Sequence, residues 1–214
     1  MNKEELMLYN INETFYSLKG EGLWTGTPMF FIRLAGCNLN CSFCDTDYST
    51  KRQSTVNELI KEVLTSPAER VVITGGEPGL QDTQPLVMDL HAHRIKVHLE
   101  TNGTVPLHTN WDWIAVSPKG PVDELDPVII RIAHEVKFLV GTRGWKEYIP
   151  EVCNKFDLLQ KRLLKLWVMP LAKPYPFRLS DGLIDENINL AVKYCLEHPI
   201  FGLCMQQHKI LGIK

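Results

Sequence analysis

Three cysteines lie within eight residues of this 214-residue chain, at Cys37, Cys41 and Cys44. If that segment were fully extended, its ends would lie about 23–25 Å apart, so the three thiols can share one metal cluster only in a curled loop. Gly36 and the asparagines between the cysteines suit such a loop. Structural zinc and iron–sulfur sites usually take four protein ligands. Three thiolates therefore predict a site in which one metal is open to a further ligand.

The same thiols leave alternatives open. A structural zinc site would need a fourth ligand from a distant histidine such as His91, His93 or His208, and a non-catalytic metal-binding module would use the cysteines in the same way. The other cysteines, at positions 153, 195 and 204, lack paired spacing and are expected to be ordinary buried thiols. The segment MNKEELMLYN does not have the pattern of a secretory signal. We therefore expect a reducing, cytoplasmic environment, where clustered thiols bind metal more often than they form disulfides.

Two further segments have residues suited to ligand binding. Thr74-Gly75-Gly76-Glu77-Pro78 ends the apolar run 70–74, which is predicted to be a strand. Ligands bind at the carboxyl ends of parallel strands, and glycines let the backbone approach them closely. Ser117-Pro118-Lys119 ends the run 113–116 in the same way and offers a hydroxyl and an ammonium group. Taken alone, the first segment would justify only a plain strand-to-helix turn, and the second is equally compatible with a simple exposed turn.

The elements that must position these residues follow from composition and periodicity. The chain is 44% hydrophobic and 22% charged, which is ordinary for a globular protein, and it is long enough to bury a sizeable core. The sequence has no apolar run near the roughly 18 residues of a membrane span. A net charge of −2 does not favour nucleic-acid binding.

Strands and helices alternate along the predicted chain. The apolar, β-rich runs are 29–34, 70–74, 95–100, 113–116, 134–140, 165–169 and 200–205, and helical periodicity covers 55–65, 80–93 and 182–197. Such alternation indicates βα units on a mostly parallel sheet. Because a closed eight-unit barrel usually needs about 250 residues, we expect an α/β fold that is an incomplete, curved parallel β/α barrel. We also expect a single domain over residues 1–214, with the proline-rich stretch 173–176 as a loop.

The spacing Cys-x3-Cys-x2-Cys, with Phe43 before the last cysteine, resembles the signature of the radical S-adenosylmethionine (SAM) superfamily. The fold of that superfamily is also an incomplete α/β barrel. The resemblance implies that Cys37, Cys41 and Cys44 hold a [4Fe–4S] cluster, whose open iron binds SAM and whose electron cleaves it to a 5′-deoxyadenosyl radical. The positions implied to contact SAM are Phe43, Asp45, Gly76, Glu77, Ser117, Pro118 and Lys119.

Other segments resemble the 7-carboxy-7-deazaguanine synthase family more closely. They are TFYSLKGEG (14–22), GTP (26–28), FIRL (31–34), ITGGEP (73–78), ETNGT (100–104), VSPK (116–119) and QQHKILGI (206–213). The resemblance implies a lyase that converts 6-carboxy-5,6,7,8-tetrahydropterin to 7-carboxy-7-deazaguanine with loss of ammonia, in the biosynthesis of queuosine and related 7-deazapurines. A glycyl-radical-enzyme activase shares the cysteine spacing and is the alternative within the superfamily.

The resemblance to this family also implies a set of substrate-binding residues: Leu18, Lys19, Gly20, Glu21, Arg33, Thr74 and Lys214. Glu21 can accept a pair of N–H bonds from the pyrimidine edge of the substrate. Arg33 lies in an apolar run, where its charge needs a partner, either the substrate carboxylate or a structural Asp or Glu. Thr46 is implied to be a Mg²⁺ ligand, with water and substrate oxygens completing the shell.

Three positions depart from the family pattern. Lys19 and Met169 stand where the family usually has glutamine, and Gln207 stands where it usually has threonine. Lys19 removes an amide acceptor and adds a positive charge, although its backbone can keep its role. The resemblance further implies a flavodoxin as electron donor and a homodimer, with a small pterin as substrate and with no nucleic-acid or membrane partner.

Overall fold

The computed structural model describes residues 7–107, 110–160, 163–171 and 186–214. In these ranges the strands are β1 (Leu8–Leu18), β2 (Pro28–Leu34), β3 (Arg52–Thr55), β4 (Arg70–Gly75), β5 (Lys96–Thr101), β6 (Trp113–Val116), β7 (Glu135–Val140), β8 (Lys165–Pro170) and β9 (Phe201–Leu203). The α-helices are α1 (Val56–Leu64), α2 (Gln84–Ala92), α3 (Pro127–Ile132), α4 (Trp145–Lys155), α5 (Glu186–Glu197) and α6 (Gln207–Leu211). None of the helices in the described ranges is long and apolar enough to cross a membrane.

The nine strands of the described ranges belong to one sheet, in the order β3-β1-β2-β4-β5-β6-β7-β8-β9. From β2 to β9 each neighbouring pair is parallel, whereas β1 runs antiparallel to both β2 and β3. The sheet is open, with β3 and β9 at its two edges. This confirms the expected α/β fold with a mostly parallel sheet that does not close into a barrel.

Each of the seven runs predicted to be strands is a strand, with bounds that differ by no more than two residues. The helix predicted over 80–93 begins later, at Gln84, because Pro78–Leu80 forms a 3₁₀ turn. The last predicted helix is present from Glu186 to Glu197, whereas its start at 182–185 and the proline-rich loop 173–176 lie outside the described residues. The strands β1 and β3 were not predicted.

Alternation along the parallel strands separates an apolar face from a polar one. Val136 and Phe138 of β7 are buried in the main hydrophobic core, as are Val97 and Leu99 of β5. Because successive side chains of a strand point to opposite faces, the residues between them face the concave side of the sheet. The strands therefore place charged groups such as Lys137 on that side.

Helix α1, which lies in the segment 55–65 predicted to be helical, begins with a capping box. Thr55 Oγ1 accepts a hydrogen bond from the Glu58 amide at 3.3 Å, and the Glu58 carboxylate accepts one from the Thr55 amide at 2.8 Å. Thr55→Ala removes the hydroxyl acceptor, so we expect the free energy of unfolding to fall by about 1 kcal/mol. Urea denaturation measures the change. An unchanged midpoint would contradict a stabilising role for this cap.

Candidate active site

A cavity at the carboxyl edge of the sheet brings together almost all of the predicted site residues. Its wall includes the predicted metal ligands Cys37, Cys41, Cys44 and Thr46, the predicted SAM contacts Phe43, Asp45, Gly76, Ser117 and Lys119, and the predicted substrate contacts Leu18, Lys19, Gly20, Glu21, Arg33, Thr74 and Lys214. Glu77 and Pro118 are the two predicted residues that do not lie on this wall. Segments far apart in the sequence thus meet at one place.

The three cysteines lie on a curled loop after β2. The Gly36 amide donates to the Tyr48 carbonyl at 2.8 Å, which ties the two ends of the loop together, and the Cys44 amide donates to the Cys41 carbonyl at 3.0 Å. All six cysteines of the chain lie in the described ranges and are free thiols. Burial raises the pKa of the Cys41 thiol, and the nearby Cys44 and Cys37 thiols raise it further, whereas Lys119 lowers it.

The donor set fits a cluster with one open iron. The loop places three thiols on the wall of one cavity. In the described ranges, no three His, Cys, Asp or Glu side chains are close enough together to hold a metal ion, so the thiols would have to move closer to bind the cluster. Two of the histidines considered for a fourth zinc ligand are engaged elsewhere. His91 Nε2 lies 2.8 Å from Asp112 Oδ2, His93 Nδ1 lies 2.9 Å from the Asp89 carbonyl, and neither histidine lines the cavity.

The glycines of the segment 74–78 support the cysteine loop. A Cβ on Gly76 would lie 2.1 Å from the Gly36 carbonyl oxygen and 2.7 Å from Cys37 Cβ, so only glycine fits there. The Glu77 amide donates to the same Gly36 carbonyl at 2.9 Å. The close packing leaves the Gly76 backbone on the cavity wall, directly beside the first cysteine.

Glu77 itself is fully buried behind that wall. Its carboxylate accepts hydrogen bonds from the Thr101 hydroxyl at 2.8 Å, the Asn102 amide at 2.7 Å and the Gly79 amide at 3.0 Å. Burial raises the pKa of Glu77 in spite of these donors. The Glu77 side chain therefore fixes the backbone at the end of β5. Thr101, the last residue of β5, and Asn102, which follows it, both line the cavity.

Four charged side chains on the same cavity wall form a cluster: Lys19, Glu21, Glu100 and Lys137. Lys137 Nζ donates to Glu21 Oε2 at 2.8 Å and to Glu100 Oε2 at 2.7 Å. Lys19 forms an ion pair with the other oxygen of Glu100. Gln206 Nε2 donates to Glu21 Oε1 at 2.7 Å. Two ammonium groups thus balance two carboxylates, and every carboxylate oxygen has a donor.

The charges in this cluster hold one another ionised. Burial raises the pKa of Glu21 and of Glu100, but the ammonium groups of Lys137 and Lys19 outweigh it and lower both. The pKa of Glu21 lies well below its ordinary value. Burial lowers the pKa of Lys137, whereas Glu100 and Glu21 raise it well above its ordinary value. Both carboxylates can therefore act as hydrogen-bond acceptors near neutral pH.

Helix α6 closes one side of the cavity over the Gly20 backbone. The Gln207 amide donates to the Gly20 carbonyl at 2.9 Å. A Cβ on Gly20 would lie 2.1 Å from His208 Nδ1, so the close approach of the helix requires glycine. Gln207 takes part through its backbone, so its departure from threonine leaves this contact intact.

Arg33 has the structural carboxylate partner that the sequence left open. Its Nε donates to Glu13 Oε1 at 3.0 Å, and Lys214 Nζ donates to the other oxygen of Glu13 at 2.7 Å. The Ser17 hydroxyl donates to the Lys214 carbonyl at 2.7 Å. Both Arg33 and Lys214 nevertheless line the cavity. Arg33 and Lys214 therefore share one carboxylate, that of Glu13, while lining the cavity.

An apolar patch lies beside these charges. The rings of Phe15 and Phe31 stack with centroids 4.8 Å apart, and both line the cavity with Leu139 and Met169. Met169 is buried at this wall, so its departure from glutamine makes the wall more apolar. A flat ring bound here would meet apolar side chains as well as hydrogen-bonding groups.

Asp45 and Thr46 follow directly on the last cysteine. Thr46 Oγ1 donates to Asp45 Oδ1 at 3.3 Å, and the other oxygen of Asp45 forms an ion pair with Lys209 of α6. Burial raises the pKa of Asp45, but the hydrogen bond and charge of Lys209 outweigh it and lower the pKa. The ion pair joins the cysteine loop to α6.

Sequence reasoning did not pick out Glu100, Lys137 or Gln206 as site residues. A usable signal was present, because Lys137 lies between Val136 and Phe138 in an apolar strand. This pattern is the one that marked Arg33. Glu100 lies inside a segment that carried the family resemblance, and alternation with Leu99 places it on the concave side of the sheet.

The radical SAM superfamily model matches residues 31–156, which is more than half of the chain. These residues include the cysteine loop and the strands β4 to β7. The protein is thus a radical SAM protein, a class whose members use SAM and a [4Fe–4S] cluster.

Comparisons of nearly the whole chain with known proteins identify a family within the radical SAM superfamily. The 7-carboxy-7-deazaguanine synthase of Synechocystis sp. is 36% identical, covering 96% of this chain and 94% of the relative. That of Bacteroides thetaiotaomicron is 37% identical, covering 97% and 100%. The crystal structure of QueE from Escherichia coli superposes with a TM-score of 0.78 at 27% identity, covering 95% of this chain and 96% of that one. The chain belongs to the 7-carboxy-7-deazaguanine synthase family.

Proposed function

We propose that the protein is a radical SAM lyase that converts 6-carboxy-5,6,7,8-tetrahydropterin to 7-carboxy-7-deazaguanine with loss of ammonia. The observation that carries the proposal is that one cavity is lined both by the cysteine loop and by the charged cluster of Lys19, Glu21, Glu100 and Lys137. The cysteine loop suits the cofactors, and the charged cluster suits a small polar substrate. Membership of the family supports this substrate and its place in the biosynthesis of queuosine-type deazapurines.

Cys37, Cys41 and Cys44 would hold the cluster. A [4Fe–4S] cluster bound there supplies the electron that cleaves SAM reductively. The chain contributes the Gly76 backbone, the Ser117 hydroxyl and the Lys119 ammonium group as contacts for SAM. Glu77 acts behind this wall by fixing the backbone at Asn102 rather than by reaching the cofactor with its own side chain.

The cavity wall around the charged cluster offers groups that complement a pterin. The ionised Glu21 and Glu100 oxygens accept N–H bonds from the pyrimidine edge, while Phe15 and Phe31 cover a ring face. Arg33 and Lys214 supply the positive charge that attracts the substrate carboxylate. Thr46, beside Asp45, would supply a hydroxyl ligand to a bound Mg²⁺, and water and substrate oxygens would have to complete its shell. The protein's share of the reaction is to orient the substrate and exclude water.

Arg33→Met tests the carboxylate contact. Losing a hydrogen bond to a charged group should raise the KM for the pterin by about 10- to 100-fold, while the KM for SAM stays within about twofold. Steady-state kinetics measure both constants. Arg143→Met, at an exposed arginine that does not line the cavity, is the matched control. Equal effects of the two substitutions would contradict a role for Arg33 in substrate binding.

A comparison of two substrates tests the proposed function. The anaerobically reconstituted protein, given SAM, reductant and Mg²⁺, should process the 6-carboxylated tetrahydropterin with a kcat/KM at least about a hundredfold larger than that for unsubstituted tetrahydropterin. Iron and sulfide are measured on the same sample, because a module that holds one zinc would contradict the proposal. Equal use of the two pterins would also overturn it.

The partners and the compartment extend the proposal. We infer a flavodoxin as electron donor, a homodimer and a cytoplasmic location. Six free thiols suit a reducing compartment. The dimer is supported by exposed apolar side chains at the β9 edge of the sheet, where Leu196 and Ile200 are 78% and 52% exposed. Sedimentation of the holoprotein distinguishes a dimer from a monomer.

A further inference from the structure

A further buried carboxylate, that of Glu135, lies next to the charge cluster and has no role in the site so far. Glu135 is the first residue of β7 and has no exposed surface. It is two residues from Lys137, so alternation places both on the concave face of the sheet. The negative charge of Glu135 also contributes to the raised pKa of Lys137.

Glu135 accepts hydrogen bonds from three neutral N–H groups on separate elements. Oε2 accepts from the Leu23 amide at 2.8 Å and from Trp167 Nε1 of β8 at 2.8 Å. Oε1 accepts from Trp113 Nε1 of β6 at 3.0 Å. The Leu23 amide belongs to the loop between β1 and β2, which carries Lys19, Gly20 and Glu21. The carboxylate therefore fastens this loop to the sheet beneath it.

Gly22 is pressed directly onto the same carboxylate. A Cβ on Gly22 would lie 2.5 Å from Glu135 Oε1, and the residue has a φ of +75°, which favours glycine. The Gly22 amide also donates to Cys204 Sγ at 3.2 Å. Because Glu21 comes immediately before Gly22, its position depends on this packing.

We propose that Glu135 is a positioning residue that holds the Gly20–Leu23 loop so that Glu21 meets the pterin. This inference rests on the proposed function, since Glu21 is the substrate contact through which Glu135 acts. A carboxylate is needed because three donors converge on two oxygens. A glutamine would turn its NH₂ group towards either the Trp113 indole or the donors on Oε2, so it must lose at least one hydrogen bond.

The experiment compares Glu135→Gln with wild type and with a matched control. Glu135→Gln should raise the KM for 6-carboxytetrahydropterin by about tenfold or more, while the KM for SAM and the iron content stay at wild-type values. Asp126→Asn is the control, because Asp126 accepts hydrogen bonds from the Val128 and Ile129 amides at the start of α3, away from the cavity. It should lower Tm without changing the KM for the pterin.

Gly22→Ala provides a second variant if Glu135→Gln does not fold. Its new methyl group pushes on the same carboxylate, so it should raise the pterin KM in the same way. A Glu135→Gln protein with lowered Tm but a wild-type pterin KM would overturn the inference and leave the proposed function standing, as would an unchanged pterin KM in Gly22→Ala when Glu135→Gln is unfolded. If wild type itself does not process the pterin, both proposals are wrong.

Discussion

Cys41→Ser is expected to lower product formation to less than about 1% of wild type. Cys41 is the middle one of the three proposed cluster ligands, and we expect that the other two cysteines do not hold a cluster by themselves. Loss of even an outer-shell partner costs about 10- to 100-fold in metal affinity or activity, so loss of a direct ligand should cost more. Iron content, visible absorbance and reductive SAM cleavage measure the effect together.

Cys195→Ser is the matched control for the cluster ligand. Cys195 is a half-buried thiol on α5 that does not line the cavity. This variant should keep its iron content and its rate of product formation. If Cys41→Ser also kept a full complement of iron and wild-type turnover, the assignment of the cysteine loop would be wrong.

Lys137→Met is expected to lower the free energy of unfolding at pH 7 by about 3–5 kcal/mol. The variant keeps two largely buried carboxylates but only one ammonium group, that of Lys19, to balance their charge. Lys137 is 1% exposed, and its partners Glu21 and Glu100 are 17% and 16% exposed, so water cannot replace it fully. Product formation should fall as well, since the carboxylates lose the charge that keeps them ionised.

The pH dependence of stability gives this prediction a sign. In wild type the folded-state pKa values of Glu21 and Glu100 are lowered, so their stabilisation is present above the ordinary value of 4.5 and is lost as the pH falls through the lowered values. The raised pKa of Lys137 stabilises the fold below 10.5, and this contribution is lost as the pH rises through the raised value.

In Lys137→Met, burial should raise the pKa of one carboxylate above 4.5. The variant should therefore lose stability as the pH rises from about 4.5 through the raised pKa. The difference between variant and wild type should therefore be smaller at pH 4 than at pH 7. Urea denaturation at both pH values measures it. A difference that is equal or larger at pH 4 would contradict the proposed balance of charges.

The parallel part of the fold was predictable because its strands are apolar and lie between helical segments. β1 has the sequence LYNINETFYSL, in which polar residues interrupt the apolar ones, and β3 has only four residues, so neither gave a strong signal. Both are antiparallel additions at one edge of the sheet. The helix α4 was not predicted; it contains a proline at position 150, a residue that usually breaks a helix interior.

The candidate site was predictable where a motif marks backbone geometry. A glycine is required at position 76 because a side chain there would clash with the Gly36 carbonyl. The three cysteines were recognisable because their spacing places them on one loop. The direction of a side chain was harder to predict. The motif that contains Glu77 did not reveal that its carboxylate faces away from the cavity, towards Thr101 and Asn102. Long-range contacts, such as that of Lys137 on β7 with Glu21 on the loop between β1 and β2, depend on the strand order of the sheet and on the path of that loop.

The most direct test of the central claim is mass spectrometry of the products that the anaerobically reconstituted wild type makes from 6-carboxy-5,6,7,8-tetrahydropterin with SAM, reductant and Mg²⁺. We predict 7-carboxy-7-deazaguanine, which appears only when the pterin is present, together with ammonia. If a protein with a full cluster gave only 5′-deoxyadenosine and left the pterin unchanged, that result would contradict the proposed substrate and reaction.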